Sequence, residues 1–240
     1  MSRINRYAPF IFVIASALGI AWLVRQRREV TVGLNDWQHV LIRCHGAKKA
    51  QQLAAAVRQQ HAALVAEASM PVNPALRWHL KEKILPGLAL YWVLLQEYDG
   101  NQPAALAEVD EAFRNQTLAK SRLLFAPVKV LPAQFRLFKL VFPQIMKQFP
   151  AEGWDITYVE DRDDKVAFNI TRCFYLNTLT AYGAPELTAS FCKGDDVMAE
   201  CFPPSIRFVR LHTLGRGDAL CDFQYCRGEK ALNQSILEER

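Results

Sequence analysis

No two of the chain's six cysteines are spaced CxxC, and the sequence contains neither a phosphate-binding glycine loop nor a GxGxxG. The first absence excludes a zinc ribbon and a thioredoxin-type redox motif. The others exclude the usual nucleotide and dinucleotide cradles. There is no internal repeat, low-complexity linker or second domain. Charge of one sign is scarce too. Five arginines against Glu29 in residues 1–29 account for most of the net +5, and residues 30–240 are nearly neutral. Such a body offers no electrostatic footprint for nucleic acid, and no nucleic-acid partner is expected. Only five histidines occur, and His39, His45, His61 and His79 fall in the first third, on faces expected to be solvated or packed.

What is present points to a folded body of 240 residues. A 51% apolar and 11% aromatic composition excludes disorder, and this length can bury a real core. Cys44 stands alone, whereas Cys173, Cys192, Cys201, Cys221 and Cys226 crowd the end of the chain. A chain of this size needs no disulfide staples, so the thiols are expected to be reduced, in a cytosolic environment.

Residues 7–24 (YAPFIFVIASALGIAWLV) are uncharged and lie between Arg6 and Arg25. As a helix they reach about 27 Å, just enough for a bilayer core. No small-x-small cleavage site follows, only Arg-Gln-Arg-Arg, so an uncleaved anchor is expected rather than a signal peptide. The arginines after the run slightly outweigh Arg3 and Arg6. With the reduced thiols they place the body on the cytoplasmic side of an inner or plasma membrane, as a single-pass protein.

Helical signals follow. Asn35-Asp36 can cap a helix to about Ser69, with Trp37, Val40, Leu41, Leu53, Val57, Leu64 and Val65 as its apolar stripe. A second helix, about 75–97, should kink or split at Pro86, and its run 88–95 reads as a buried core helix. Asp99-Gly100 ends it, and Gln102-Pro103 starts a third helix to about Ala119. Phe135, Phe138, Phe142, Ile145, Met146 and Phe149 recur at helical spacing, a pattern that predicts core packing. After Pro150 the period becomes two. Two hairpins, 156–173 and 205–226, can form one antiparallel sheet. The expected fold is α+β: residues 1–29 form a transmembrane helix with basic flanks, and residues 30–240 form one domain. Its helical part, about 35–150, packs on a sheet part of about 151–228.

The reactive groups concentrate between Phe191 and Phe223. Cys192 and Asp195, three apart, share one face of a helical turn. A neighbouring carboxylate raises a thiol pKa, so this pair needs a further activator; alternatively Cys192 is a small packed residue. Cys221 alternates with Phe223 and Tyr225 on one strand face, with Asp222 on the other. Asp218 suits a turn that bonds its own backbone. Arg210 and His212 share a face with Phe208, where Arg210 is either a carboxylate grip or a half-exposed strand residue. Cys173, Cys192, Cys221 and His212 are a conceivable tetrahedral set, but their spacing is irregular and no metal or other cofactor is expected.

Taken together, Cys173-x-Tyr175, Glu186-Leu-Thr, Cys192-x-x-Asp195, Pro204-x-Ile-x-Phe-x-Arg210, Thr213-Leu-x-x-Gly217-Asp218 and Cys221-Asp222-Phe223 resemble the L-2-amino-thiazoline-4-carboxylic acid hydrolase family. The resemblance runs from about Trp37 to Tyr225. It implies a hydrolase acting on carbon–nitrogen bonds of a cyclic amidine, opening an aminothiazoline ring to an N-carbamoyl cysteine. Carried onto this chain, it implies Cys192, Asp195, Cys221 and Asp218 as catalytic residues, with Cys192 first and Cys221 second as nucleophile. Arg210, Thr213, Asp222 and Cys173 are implied to hold a small-molecule substrate. Two other classes compete. One is a membrane-anchored ligand-binding or assembly protein on the same fold, in which an oligomer or membrane partner would matter; the other is a thiol redox module.

Overall fold

A computed structural model describes residues 37–228. The apolar run 7–24 and the proposed Asn35-Asp36 cap lie outside the described residues. Among the described residues no helix is long and apolar enough to cross a membrane.

Helix α1, Gln38–Glu67, buries Val40, Leu41, Leu53, Val57 and Leu64. It is interrupted at Gly46, whose φ of 75° favours a residue without a Cβ. Helix α2, Pro74–His79, is capped by Asn73, whose side chain accepts from Ala75 N–H. A π turn, Leu80–Ile84, then leads into α3, Leu85–Glu97. The split expected at Pro86 therefore falls one turn earlier. Pro86 sits in the first turn of α3, where its missing N–H costs nothing. Leu88, Leu90 and Leu94 of α3 are fully buried, as expected of a core helix. Asp99 and Gly100, both at positive φ, end it. Helix α4, Gln102–Phe125, runs further than the sequence suggested, and a 3-10 turn, Val128–Val130, links it to α5, Gln134–Met146.

Strands β1 (Asp155–Arg162) and β2 (Lys165–Arg172) form the first hairpin. β3 (Ile206–Val209) and β4 (Cys221–Arg227) form the second. The sheet is antiparallel, in the order β1-β2-β4-β3. The α+β reading thus holds, with two corrections. Helices α6 (Phe174–Ala181) and α7 (Leu187–Ala199) are inserted between the hairpins, so the C-terminal part is not sheet alone. β3 also stops at Val209, so Arg210 and His212 belong to a loop rather than to a strand face.

Two apolar clusters result. One joins α1, α3 and α4 with Leu179 and Leu187 of the inserted helices. The other packs Phe135 and Phe142 of α5 against Val166, Phe168, Ile170, Phe208 and Tyr225 of the sheet. Phe168 and Phe223 are direct cross-strand partners and stack with rings 5.1 Å apart, the kind of pair that fixes register. Between the clusters, α7 and the β3–β4 loop meet along one side of a cavity.

Candidate functional site

The cavity holds about 370 Å³ and is bordered by α2, α5, α7 and the sheet. Its walls are mainly aromatic and aliphatic: Trp78, Phe142, Phe149, Trp154, Phe168 and Phe223 all contribute. Polar groups are few: Cys173, Cys192, Cys221, Asp195 and Arg210 line it together with His79 and Tyr175. Five of the eight residues singled out from the sequence therefore share one space.

Cys192 and Asp195 reach it because three residues is nearly one turn of α7. Arg210, just past β3, turns its guanidinium back to α7. It donates to Asp195 at 2.8 Å, to Asp196 at 2.8 Å and to the Cys192 carbonyl at 2.9 Å. It also lies 5.1 Å from the Phe223 ring centroid. Burial opposes the arginine's charge, yet the two aspartates outweigh it and hold its pKa above the ordinary value. Three N–H groups of Arg210 are thus taken by protein acceptors, and the residue is a loop arginine with a buried side chain rather than a half-exposed strand one. Burial pushes the Asp195 carboxyl up to about 6, against the pull of Arg210. A carboxyl with that pKa can exchange protons near neutrality.

The two thiols are tied through Thr213, which is buried behind them. Cys221 Sγ donates to Thr213 Oγ1 at 3.5 Å, and Thr213 Oγ1 donates to Cys192 Sγ at 3.2 Å. Leu214 N–H donates to Cys221 Sγ at 3.2 Å. Cys192 is thus the terminal acceptor of the chain. Burial pushes its thiol up to about 11, only partly relieved by the Thr213 hydrogen bond. Burial likewise raises Cys173. All six cysteines are free.

Thr213, Asp218 and Asp222 do not line the cavity. Asp218 accepts from Thr213 N–H at 2.7 Å, the turn role that its position suggested. Asp222 accepts from Leu211 N–H at 2.9 Å and His212 N–H at 2.6 Å. Its other oxygen meets His212 Nδ1 at 3.2 Å. These carboxylates hold the loop that presents Arg210 and Thr213. The tetrahedral alternative does not assemble, because His212 turns to Asp222 rather than to the thiols. Among the described residues, no group of three histidine, cysteine or acidic side chains is arranged to hold a metal. Gly215 permits the loop to touch α7: a Cβ there would lie 2.8 Å from Cys192 Sγ and 3.1 Å from the Ala189 nitrogen.

Sequence reasoning missed His79 and Tyr175. Tyr175 stood within the family-like motif, but only Cys173 was taken from it. Nothing in the sequence set His79 apart from the other helical-half histidines, since only the fold brings α2 beside α6. His79 Nε2 meets the Gln148 carbonyl at 2.9 Å, and Nδ1 meets the Tyr175 hydroxyl at 2.9 Å. A carbonyl can only accept, so Nε2 carries the proton and Tyr175 donates to Nδ1.

The family model described as L-2-amino-thiazoline-4-carboxylic acid hydrolase matches residues 77–225, a stretch that holds every cavity residue named above. No match is found among curated proteins. Among solved structures, the chain has a likeness to the Fe(II) unliganded H-NOX protein from K. algicida. The identity is 9%, the TM-score is 0.35, and the alignment covers 85% of this chain and 98% of that one. That likeness is too low to bear on fold or chemistry. The family match is not: the chain belongs to the L-2-amino-thiazoline-4-carboxylic acid hydrolase family.

Proposed function

We propose that this family member hydrolyses a cyclic amidine, with Cys192 as nucleophile and Asp195 as proton carrier. The observation that carries this reading is their placement on one cavity-lining face of α7, with Cys192 Sγ at the receiving end of the Thr213 hydrogen bond. A thiol held near 11 is not a thiolate at neutral pH. Attack must therefore be coupled to proton loss, and ionised Asp195 is the base within electrostatic reach.

For an aminothiazoline the steps balance as follows. Cys192 Sγ bonds to the amidine carbon while its proton passes to Asp195. The ring carbon–sulfur bond then breaks, and the departing sulfur takes that proton. Water attacks the resulting S-linked isothiourea, losing a proton to Asp195. Cleavage of the bond to Cys192 gives a carbamoyl product and restores the thiol. An N-carbamoyl cysteine keeps both nitrogens of the amidine, so this chemistry breaks a carbon–sulfur bond rather than the carbon–nitrogen bond expected at first. Arg210 acts as a positioning residue for Asp195. Thr213 steadies charge on Cys192 sulfur.

The cavity also bears on substrate class. Its volume is in the range of drug-sized ligands, and its wall is mainly aromatic and aliphatic. We infer a cyclic amidine that carries an aryl or aliphatic substituent, with the cationic head at Asp195 and the apolar part among Trp78, Phe149 and Trp154. The raised thiols favour one rival, a ligand-binding protein that uses the same cavity without chemistry.

The test is turnover of a panel of substituted aminothiazolines by the full chain in detergent, beside Cys192→Ala and Cys221→Ala. Ring opening abolished in Cys192→Ala, and reduced about tenfold in Cys221→Ala through loss of one hydrogen-bonded partner, is expected. An S-linked adduct on Cys192 should appear by mass spectrometry. Turnover undiminished in both variants removes the thiol mechanism. Thermal stabilisation by the same compounds, with no turnover, selects the ligand-binding reading.

A further inference from the structure

Residues 112–151 contain seven lysines and arginines and no aspartate or glutamate. The rest of residues 30–240 consequently carries more carboxylates than cations. This stretch comprises the second half of α4, the 3-10 turn and all of α5. Arg122, Lys129, Arg136 and Lys147 are exposed, and none of the four forms an ion pair among the described residues. Six of the eleven exposed large apolar side chains of the described residues fall in the same stretch: Leu123, Leu124, Val130, Leu140, Val141 and Ile145.

Helix α5 shows the anomaly most clearly. Phe135 and Phe142 face the sheet and are buried. The opposite side of a surface helix should be polar. Here it carries Leu140, 71% exposed, between Arg136 and Lys147, and Val141 and Ile145 extend the exposed apolar surface along the flank towards Phe142. Apolar tips spaced among cations, with carboxylates absent for 40 residues, match a surface that is apolar beneath and anionic on top. In space, Arg114 pairs with Glu200 and Lys139 with Asp161, so Arg122, Lys129, Arg136 and Lys147 are the cations left to meet anionic headgroups.

We propose that the C-terminal half of α4, the 3-10 turn and α5 form a docking face for an anionic lipid surface, with α5 lying in the plane of the interface. The face has a direct relation to the cavity. Ile145 borders the cavity with Phe142 and Met146, and is itself 44% exposed. Docking therefore sets the α5 wall of the cavity against the acyl chains. The run 7–24, outside the described residues, is a separate apolar segment, and the experiment must distinguish the two.

The full chain is incorporated into phosphatidylcholine vesicles, with or without phosphatidylglycerol, that contain a lipid bearing a photoactivatable acyl chain. Adducts are then mapped by peptide mass spectrometry. The expected result is labelling within 123–145 that rises several-fold with phosphatidylglycerol, with labelling of 7–24 as internal reference. Leu140→Glu and Val141→Glu replace exposed side chains, so the melting temperature should hold while 123–145 labelling falls several-fold. Labelling confined to 7–24 overturns the proposal, as does 123–145 labelling indifferent to phosphatidylglycerol. A concentration-dependent dimer that protects 123–145 from hydrogen exchange, without adducts there, assigns the face to a second copy and also overturns it.

Discussion

The Tyr175 hydroxyl donates to Nδ1 of His79 across 2.9 Å, and the opposite ring nitrogen is committed to the Gln148 carbonyl. Both residues border the cavity that the thiols and Asp195 also line. The pairing fixes one neutral tautomer of His79. Burial reinforces it by lowering the His79 pKa from 6.5 to about 4. The tyrosine oxygen thus has its proton directed away and its lone pairs left to accept. An amidinium N–H is the type of group that would use them.

That neutrality has a consequence for stability. A histidine whose folded pKa is depressed contributes stability that is present above 6.5 and lost as pH falls towards 4. The difference in unfolding free energy between wild type and His79→Gln cancels the other titrating groups. It should shrink by roughly 3 kcal/mol between pH 7.5 and 4, as the pKa falls from 6.5 unfolded to about 4 folded. Denaturant titrations at a series of pH values measure it. A difference independent of pH would mean that His79 is not held neutral.

Asp195 sets the expected pH dependence of catalysis. With its pKa near 6, the fraction in the base form grows as pH rises through that value, and so should kcat/KM. Asp195→Asn removes the base and should lower kcat/KM by about 10²–10⁴. The inflection near 6 should disappear with it. An unchanged inflection in the variant would assign the titration to another group.

Gly215→Ala tests the contact between loop and helix. The added methyl meets Cys192 Sγ and the backbone of α7 at Ala189, so the loop must move by a few tenths of an ångström. A stability loss of about 1–3 kcal/mol is expected, with a larger fall in kcat than in affinity because the nucleophile itself is displaced. Calorimetry and steady-state kinetics on one preparation separate the two effects.

Asp222→Ala should act through the loop rather than through the chemistry. It removes the acceptor for two backbone N–H groups, at a cost of about 1–3 kcal/mol. Asp222→Asn retains a carbonyl oxygen and should recover most of that loss. If the alanine variant kept full stability yet lost all turnover, the structural role given to Asp222 would be wrong.

Much of the scaffold was legible because it depends on local periodicity. The stripe of α1, the apolar run of α3 and the alternation of Val166, Phe168 and Ile170 each identify their element and buried face. Helices α6 and α7 were harder to read. The sequence marked one turn at Cys192 but nothing that set these two helices between the hairpins. The aromatic stripe of α5 was read as core, which holds for Phe135 and Phe142. Phe138, Met146 and Phe149 pack half-buried against the same cluster, and Phe142, Ile145, Met146 and Phe149 also wall the cavity. Periodicity reports that a face is apolar, not whether a side chain or a ligand will cover it.

By itself the sequence determined the α+β class, the crowding of thiols and carboxylates into one stretch, and the spacing that puts Cys192 and Asp195 on one side of a helix. Those are properties of residues near one another in the chain, where backbone geometry fixes direction. Only the tertiary structure decided what each group meets. It gave Arg210 to Asp195 and Asp196, Asp218 and Asp222 to the loop backbone, and His79 with Tyr175 to the cavity wall. The cavity wall around Asp195 strips water from its half-buried carboxyl and pushes it up to about 6, and that surrounding has no signature in the residues on either side of it.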